Sequence, residues 1–465
     1  MVRLSWLLGR RAVAYEGPVR SFVGPFPLQT PCYTSRNRTR FVGFYVATVS
    51  LPFESAGAVS QSTAVKPQTS RLISVDLLRG LVMVIMALDH TRDFFTNVQF
   101  APEDLSHTYG ILFFTRVITH YCAPVFFLLA GTGAFLSTSR GKSVKEVSWF
   151  FLTRGLWLIF LELTVINFSW SFTLPPSGVA GVIWALGWSM IVMSVLVRLP
   201  IRWIAVFGVV MVASHNLLDR IDPASFGKLN WLWLMLHSPG QYWIKPHEIG
   251  IFFGYVLIPW VGVMAAGFAF GALLVRSDRR KWIFGLGISM TALFFVVRGV
   301  NLYGNGIAGL PFGFSSSAGP WTHQPSTTLT LISFFNTLKY PPSLDYLLMT
   351  LGPALMALAW FDKKNDPGRL ARILLVYGRV PLFFYVLHLY LIHILAVLVA
   401  GLYHQPATQL WSGAIFLQPV PNGYGHSLLF VYAMWLAVVA ALYLPCRWYM
   451  EFKRRHRDWG WLSYV

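Results

Sequence analysis

The chain has 465 residues, of which 55% are hydrophobic and only 12% are charged, and its mean hydropathy is +0.56. Soluble domains carry roughly 25% charged residues, and a large soluble core does not explain repeated apolar runs near the roughly 20 residues that cross a bilayer. These features exclude an ordinary soluble domain and predict an all-α, polytopic integral membrane helical bundle.

The formal net charge of +19 is distributed in a pattern that argues against nucleic-acid binding. Its basic residues lie mostly in short clusters between apolar runs, which is typical of cytoplasmic loops. Cys32, Cys122 and Cys446 have no metal or redox spacing, so we predict structural cysteines and no metal ion.

Residues 1–70 differ in composition from the rest of the chain. They are rich in Arg, contain Pro and Ser, and hold one apolar patch, "FVGFYVATVSLPF", that is too short for a confident span. We predict a poorly ordered, non-catalytic N-terminal extension, followed by a membrane domain over residues 71–465.

From residue 71 onward, hydropathy predicts about ten transmembrane helices. The predicted spans are 72–97, 111–137, 147–168, 179–197, 201–217, 250–275, 282–300, 345–361, 372–400 and 427–446. The apolar stretch 229–237 is shorter and predicts an interfacial helix. Basic loops follow every second span, and the loops after the third and ninth spans contain no Asp, Glu, Lys or Arg. The positive-inside rule therefore predicts that both termini are cytoplasmic.

The first span, within "RLISVDLLRGLVMVIMALDHTRDFF", carries ionisable groups at both ends. Asp76 and Arg79 lie at its predicted inner end, and Asp89, His90 and Asp93 lie at its outer end. His90 and Asp93 share a helix face, where a carboxylate can fix the tautomer of an imidazole and raise its basicity, as a general base requires. A charged interfacial helix end is an equally good interpretation of the outer group.

Arg79 precedes His90 by eleven residues, or roughly 16 Å of helix rise. At that depth Arg79 can bind an anionic group from the inner side while chemistry takes place at the outer side. The competing interpretation is a snorkelling anchor paired with Asp76.

Later spans contain further ionisable groups. Arg154 and Glu162 are eight residues apart on one helix face, which favours a structural ion pair, with a phosphate-binding role for Arg154 as the alternative. His388 and His393 lie near the middle of the ninth span and are either satisfied core histidines or cavity-lining groups. The chain has no Walker loop, dinucleotide fingerprint, H-E-x-x-H or G-x-S-x-G motif, which disfavours the usual ATPases, zinc proteases and serine hydrolases.

Two segments carry a family resemblance. "RLISVDLLRGLVMVIMALDH", followed by a polar loop and "APVFFLLAGTGAFLS", resembles the opening of the heparan-alpha-glucosaminide N-acetyltransferase catalytic domain. The shared positions are Arg71, Ser74, Val75, Asp76, Arg79, Gly80, Pro124, Phe126, Phe127 and Gly131. The late "YGRVPLFFYVLHLYLIH" and the closing "DWGWLSYV" are similar to bacterial membrane relatives of that enzyme. The resemblance covers residues 71–465 and is strongest over 71–140. The spacing of Arg79 and His90 is also similar to that on the first helix of the type three membrane acyltransferases.

This resemblance implies a multi-pass acyltransferase of a bacterial inner membrane. Such an enzyme moves an acyl group, acetyl in particular, from cytoplasmic acyl-CoA to an amine or hydroxyl of an envelope sugar on the outer side. The implied catalytic base is His90, oriented by Asp93, and the implied coenzyme A ligands are Arg79 and Arg154. In the sugar acetyltransferase itself, an Asn stands at the position of His90 and the catalytic His lies in the following loop, so His107 competes for the role of base.

Two other classes of function stay open at this point. A transporter or permease would use His388, His393, Arg154 and Glu162 as an intramembrane proton relay. A non-catalytic scaffold would keep the fold without binding acyl-CoA. The expected partners are the lipid bilayer, a small-molecule acyl donor and a sugar-like acceptor, and the sequence is compatible with a homodimer. It leaves open the acceptor, the acyl chain and whether a covalent intermediate forms.

Overall fold

The computed structural model describes residues 72–174, 178–245, 249–307, 318–363, 367–456 and 458–464. The predicted N-terminal extension and Arg71 lie outside the described residues. Helices dominate the described chain. They are α1 (Ile73–Phe95), α2 (Gly110–Thr119), α3 (Cys122–Ser139), α4 (Val144–Leu161), α5 (Asn167–Ser171), α6 (Val182–Leu196), α7 (Ile201–Ser214), α8 (Asn230–Leu236), α9 (Leu257–Leu274), α10 (Arg279–Val300), α11 (Thr327–Phe335), α12 (Leu344–Phe361), α13 (Arg369–Arg379), α14 (Pro381–Leu402) and α15 (Leu428–Arg455).

Three short strands form one sheet that the sequence did not predict. They are β1 (Val179–Ala180), β2 (Gly240–Lys245) and β3 (Ile249–Phe253), in the order β1-β3-β2. β1 pairs with β3 in parallel, with Val179 opposite Phe252, and β2 pairs with β3 in antiparallel fashion. The sheet joins the start of α6 to the start of α9.

The prediction of an all-α, polytopic membrane protein is confirmed. Eight helical segments of the described chain are long and apolar enough to cross a membrane. α1 and α6 bring the total near the ten predicted: α1 is long but rich in Asp and Arg, and α6 has 15 residues. The orientation of the two termini stays a prediction.

Two predicted spans have different boundaries in the structure. The span 250–275 begins with β3, and its helix starts only at Leu257. The span 372–400 consists of two helices, because α13 ends at Arg379 and α14 begins at Pro381. Pro381 has no backbone N–H to donate to the preceding turn, so it starts a helix more readily than it continues one.

α1 lies at the centre of the bundle, where it packs against α2, α3 and α12–α15. Its closest approach is to α13. A Cβ on Gly80 would collide with the backbone carbonyl of Leu374, and a Cβ on Gly378 would collide with the carbonyl of Asp76. These two glycines bring the helix backbones together, and the Arg79 guanidinium lies 3.3 Å from the Gly378 carbonyl oxygen.

The other end of α1 is held by the segment that precedes α15. The His426 backbone N–H donates to the Phe95 carbonyl at 2.8 Å, and the Asn97 N–H donates to the His426 carbonyl at 3.2 Å. The Tyr424 hydroxyl donates to the Phe94 carbonyl at 2.5 Å. These bonds fix the C-terminal end of α1, whose last two turns carry His90 and Asp93.

Candidate active site

Two cavities lie at the two ends of α1. The Arg79 cavity, which Arg79 lines together with α3, α4 and the end of α15, has a volume of about 1060 Å³. The His90 cavity, which His90 lines together with the sheet and the loop after α1, has a volume of about 510 Å³. Val182 and Tyr385 line both cavities, so the two spaces approach each other at these side chains.

His90 is paired with another histidine in the structure. His90 Nδ1 lies 2.7 Å from His388 Nε2, and the two rings are stacked with centroids 4.9 Å apart. His388 Nδ1 lies 2.9 Å from the Phe384 carbonyl oxygen. A carbonyl only accepts, so Nδ1 of a neutral His388 must carry the proton and its Nε2 must accept from His90 Nδ1. Neutral His90 therefore keeps its lone pair on Nε2, as a general base needs.

The structure gives Asp93 a hydrogen-bond partner other than His90. Asp93 Oδ1 accepts a hydrogen bond from Arg92 Nη2 at 2.8 Å, and no hydrogen bond joins Asp93 to His90 in the described part of the chain. Both Asp93 and His90 line the His90 cavity. The shared helix face placed the two side chains in one cavity, but the adjacent Arg92 and the facing His388 offer closer partners.

A buried ion network surrounds Asp89. Its carboxylate accepts two hydrogen bonds from Arg116, at 2.6 and 2.8 Å, and lies 2.9 Å from Arg92 and 3.9 Å from Lys339. Arg116 also donates to Glu103 at 2.7 Å. The network ties α1 to α2, to the loop between them and to the segment before α12, and a buried charge of this kind needs such partners.

Glu103 lies in the loop between α1 and α2. Burial alone would raise the pKa of its carboxyl, but the Arg116 guanidinium, which also donates a hydrogen bond to it, and the nearby His120 imidazole hold the pKa well below its usual range. Glu103 is therefore ionised at neutral pH and acts as a fixed anion that holds Arg116.

His107 lies in the same loop but on the surface. Its side chain is 62% exposed and pairs with Asp104 Oδ2 at 2.7 Å. It is not among the described residues that line either cavity. The two sequence candidates for the base thus occupy different environments, and of the two only His90 lines one of these two cavities.

Both predicted coenzyme A ligands, Arg79 and Arg154, line the Arg79 cavity. The other Lys and Arg residues described along its wall are Lys142, Arg379, Lys453 and Arg454. Glu451 adds one carboxylate, and Asp76 lies behind the wall, 3.4 Å from Arg79 and 3.7 Å from Arg379. The wall is therefore cationic and suited to a phosphorylated ligand.

The predicted ion pair between Arg154 and Glu162 is wrong. Arg154 lines the Arg79 cavity, whereas Glu162 lines the His90 cavity, and the described chain contains no ion pair between them. The Glu162 carboxylate faces the backbone N–H groups at the start of α6, from Gly181, Ile183 and Trp184. Eight residues correspond to roughly 12 Å of helix rise, so sharing a face did not bring the groups into contact.

Glu162 also begins a π-helical segment, Glu162–Ile166, that joins α4 to α5. Such segments are rare and often occur at functional sites. The Oε2 atom of Glu162 is buried and has no hydrogen-bond partner among the described residues. This places an acidic group beside Val182, where the two cavities approach each other.

The sequence did not reveal several residues of the site. His388 was expected to be a core histidine, a cavity-lining group or part of a transporter's proton relay, and nothing indicated that it pairs with His90. Trp170 and Tyr385 carry no sequence signal, since both lie in ordinary apolar runs. The ring of Trp170 contacts that of His90 edge-on, with the ring centroids 5.0 Å apart. Lys339 is the single Asp, Glu, Lys or Arg residue of the long segment 301–344, and that isolation is the one feature of the sequence that hints at its burial.

Comparison with known proteins identifies the family. The family model described as heparan-alpha-glucosaminide N-acetyltransferase, catalytic, matches residues 71–303, which is half of the chain. A search of curated proteins gave no match. The match includes α1 with Arg79 and His90, the Asp89 network up to Arg116, and Arg154 and Glu162 on the following helices. The chain belongs to the heparan-alpha-glucosaminide N-acetyltransferase catalytic family.

Proposed function

We propose that this protein is a transmembrane acyltransferase that binds acyl-CoA in the Arg79 cavity and an acceptor amine or hydroxyl in the His90 cavity. The observation that carries this proposal is the pair of cavities at opposite ends of α1, one cationic and one containing an imidazole base, that approach each other at Val182 and Tyr385. Family membership supports transferase chemistry in general.

The cationic wall suits the phosphates of coenzyme A. Arg79, Arg154 and Arg379 come from three different helices and line one cavity. Guanidinium groups form short, charge-assisted and often bidentate hydrogen bonds to phosphate. With the nucleotide held there, the pantetheine arm and its thioester would extend toward Tyr385.

His90 acts as the general base in this mechanism. Its Nε2 accepts the proton of the acceptor as the acceptor nitrogen or oxygen attacks the thioester carbonyl carbon. The new C–N or C–O bond forms, the C–S bond breaks, and the thiolate of coenzyme A leaves toward the Arg79 cavity and takes up the proton. His388 stays hydrogen-bonded to His90 Nδ1 throughout and holds the ring in position.

The loop charges add a direction to this proposal. If basic loops are cytoplasmic, the Arg79 cavity lies on the cytoplasmic side, where acyl-CoA is found, and the His90 cavity lies on the outer side, where envelope sugars are found. We propose acetyl as the acyl group and a sugar-like molecule as the acceptor.

The test uses the purified protein with radiolabelled acetyl-CoA and a panel of amino sugars and neutral sugars. We expect acetyl transfer to at least one sugar, and a loss of about 10²–10⁴-fold in His90→Ala, because that is the usual contribution of a general base. His107→Ala is the matched control and should keep its turnover. Full turnover in His90→Ala would refute the assignment of the base, and loss in His107→Ala alone would transfer that role to the loop.

The transporter hypothesis predicts a different result. Its proposed relay is not brought together, since Arg154 and Glu162 line separate cavities and His393 Nδ1 bonds the Ser169 carbonyl oxygen at 2.7 Å. Solute uptake in proteoliposomes that needs no acyl-CoA and is abolished by Glu162→Gln would favour transport over acyl transfer.

A further inference from the structure

A cluster of side chains able to bind a metal ion lies outside both cavities. His215 follows the last turn of α7, Asp219 comes four residues later, and His237 follows the last turn of α8. One ligand atom from each of the three lies within 4.8 Å of the others. All three come from one surface connection of the bundle, between α7 and β2.

The histidines of this cluster have buried nitrogens that the described residues do not satisfy. His215 is 1% exposed, and neither of its ring nitrogens has a hydrogen-bond partner in the described chain. The same holds for Nδ1 of His237, which is 2% exposed. Burying a polar atom without a partner is costly, so these nitrogens call for a ligand.

Asp219 is already oriented for coordination. Its Oδ2 accepts a hydrogen bond from Asn216 Nδ2 at 2.8 Å, and its Oδ1 lies 2.9 Å from His237 Nε2. Asn216 is itself fixed, because its Oδ1 accepts from the Leu344 backbone N–H at 2.9 Å. Carboxylates that bind metal ions are themselves held by hydrogen bonds from outer-shell groups, and Asn216 supplies such a bond to Asp219.

We propose that His215, Asp219 and His237 bind a divalent transition metal ion, and that Zn²⁺ is the ion that fits this site. Two imidazoles and a carboxylate are ligands that Zn²⁺ accepts in tetrahedral geometry, with a fourth position left for water. Metal–ligand bonds of about 2.0–2.1 Å place tetrahedral ligands about 3.4 Å apart. The three ligand atoms lie within 4.8 Å of one another, so a separation at that upper bound would shorten by roughly 1.4 Å, and the 2.9 Å contact between Asp219 and His237 would lengthen slightly.

The ion would have a structural role in the connection between α7 and β2. It would cross-link the end of α7 to the end of α8, and through Asn216 it would be connected to the start of α12. None of the three ligands lines the Arg79 or His90 cavity as described, so this inference is independent of the proposed acyl transfer.

The experiment measures metal directly in the full-length protein, purified with a tag that contains no histidine. We expect close to one equivalent of Zn²⁺ per chain by mass spectrometry after dialysis, and a higher melting temperature when Zn²⁺ is returned to chelator-treated protein. Replacing Zn²⁺ with Co²⁺ should give the visible absorption bands of a tetrahedral site.

Two variants and one control make the result specific. His215→Ala should lose the metal and the Co²⁺ spectrum, and the nearly isosteric Asp219→Asn, which should still fold, should weaken Zn²⁺ binding at least about 10-fold. His323→Ala, at an exposed histidine elsewhere, should keep the full equivalent. Absence of stoichiometric Zn²⁺ binding in the wild type, or unchanged binding in Asp219→Asn and His215→Ala, would overturn the proposal.

Discussion

A backbone carbonyl determines how two imidazoles share their protons at the His90 cavity. The Phe384 carbonyl holds the proton of His388 on Nδ1, and His388 in turn holds the proton of His90 on Nδ1. The spacing along α1 had suggested a carboxylate, Asp93, for this orienting role. An uncharged imidazole performs it instead, while Asp93 and Asp89 neutralise buried arginines.

Substitution of His388 tests the role of the hydrogen bond between His90 and His388. His388→Leu removes the acceptor for His90 Nδ1–H and should lower kcat by up to about 10²-fold, since a misoriented base loses part of its contribution. The KM for acyl-CoA should not change, because His388 does not line the Arg79 cavity as described. Steady-state kinetics with acetyl-CoA separate the two parameters.

The matched variant for this prediction is His388→Gln. Its side-chain oxygen can accept from His90 Nδ1–H, so it should recover part of the kcat that His388→Leu loses. Equal kcat values in the two variants would contradict an orienting role.

The ionisation of Glu103 makes the stability of the fold depend on pH. Its pKa is lowered on folding from an ordinary value of 4.5, so ionised Glu103 stabilises the fold fully above about pH 4.5, and that contribution is lost as the pH falls toward the folded pKa. The melting temperature of the wild type, measured by tryptophan fluorescence, should therefore decline below pH 4.5.

Glu103→Gln should behave differently in the same titration. It should be less stable at pH 7 by about 3–5 kcal/mol, because Arg116 loses a buried partner, and its melting temperature should lack the part of the acid decline that Glu103 causes. Parallel curves for the two proteins would contradict the assignment.

At the scale of elements, α1 is positioned by close backbone packing at one end and by a buried ion network at the other. Near Arg79, glycines let the backbones of α1 and α13 approach each other. Near His90, Asp89 is held by Arg116 of α2. This arrangement fixes the depth of both groups and so the separation between the two cavities.

Substitution of Gly80 tests the close packing of α1 against α13. Gly80→Ala places a methyl group against the Leu374 carbonyl of α13 and should destabilise the protein by about 1–3 kcal/mol. Gly285→Ala in α10 is the control, because its Cβ would meet no atom within 4 Å. That substitution should be neutral or slightly stabilising, since Ala favours a helix by up to about 1 kcal/mol over Gly. Thermal melting in detergent measures both, and equal losses would refute the packing argument.

At the scale of the whole molecule, the bundle separates two chemical environments along one helix. The Arg79 cavity is lined by cations from several helices, and the His90 cavity contains an imidazole base beside Trp170 and Tyr385. Only Val182 and Tyr385 are shared by the two described linings. In the proposed function, a thioester that reaches this point would meet the acceptor without either substrate crossing the membrane.

Substitution of Arg154 tests whether the cationic wall of the Arg79 cavity binds acyl-CoA. Arg154→Gln should weaken acyl-CoA binding about tenfold or more, because charge-assisted hydrogen bonds contribute about 1.5–3 kcal/mol and each 1.4 kcal/mol is a factor of ten. Binding should also weaken with added salt. Titration calorimetry with coenzyme A and with dephospho-coenzyme A measures the effect and the part that the 3′-phosphate contributes.

Arg280→Gln is the control for this titration. Arg280 is exposed on α10 and does not line the cavity as described, so its loss should leave the affinity unchanged. An equal decrease in both variants would show a general charge effect and would contradict a site at the Arg79 cavity.

The sequence by itself determined the class of the protein, most of its helices, its family and the two ends of α1 that carry Arg79 and His90. These follow from local properties: apolar run length, loop charge and residue spacing along one helix. It also suggested that Asp93 orients His90 and that His107 competes for the role of base, but it could not show which groups surround either side chain.

Only the tertiary structure decided which groups meet. His90 and His388 are 298 positions apart, and no periodicity links them; they pair because α1 and α14 pack together. In the described chain, Asp93 does not hydrogen-bond to His90, and Glu162 does not pair with Arg154, although their spacing suggested both contacts. A shared helix face fixes the direction in which two side chains point, but it does not fix which neighbouring helix or backbone lies opposite them. The cavities have the same origin: their walls come from segments distant in sequence, so they exist only once the helices have packed around α1.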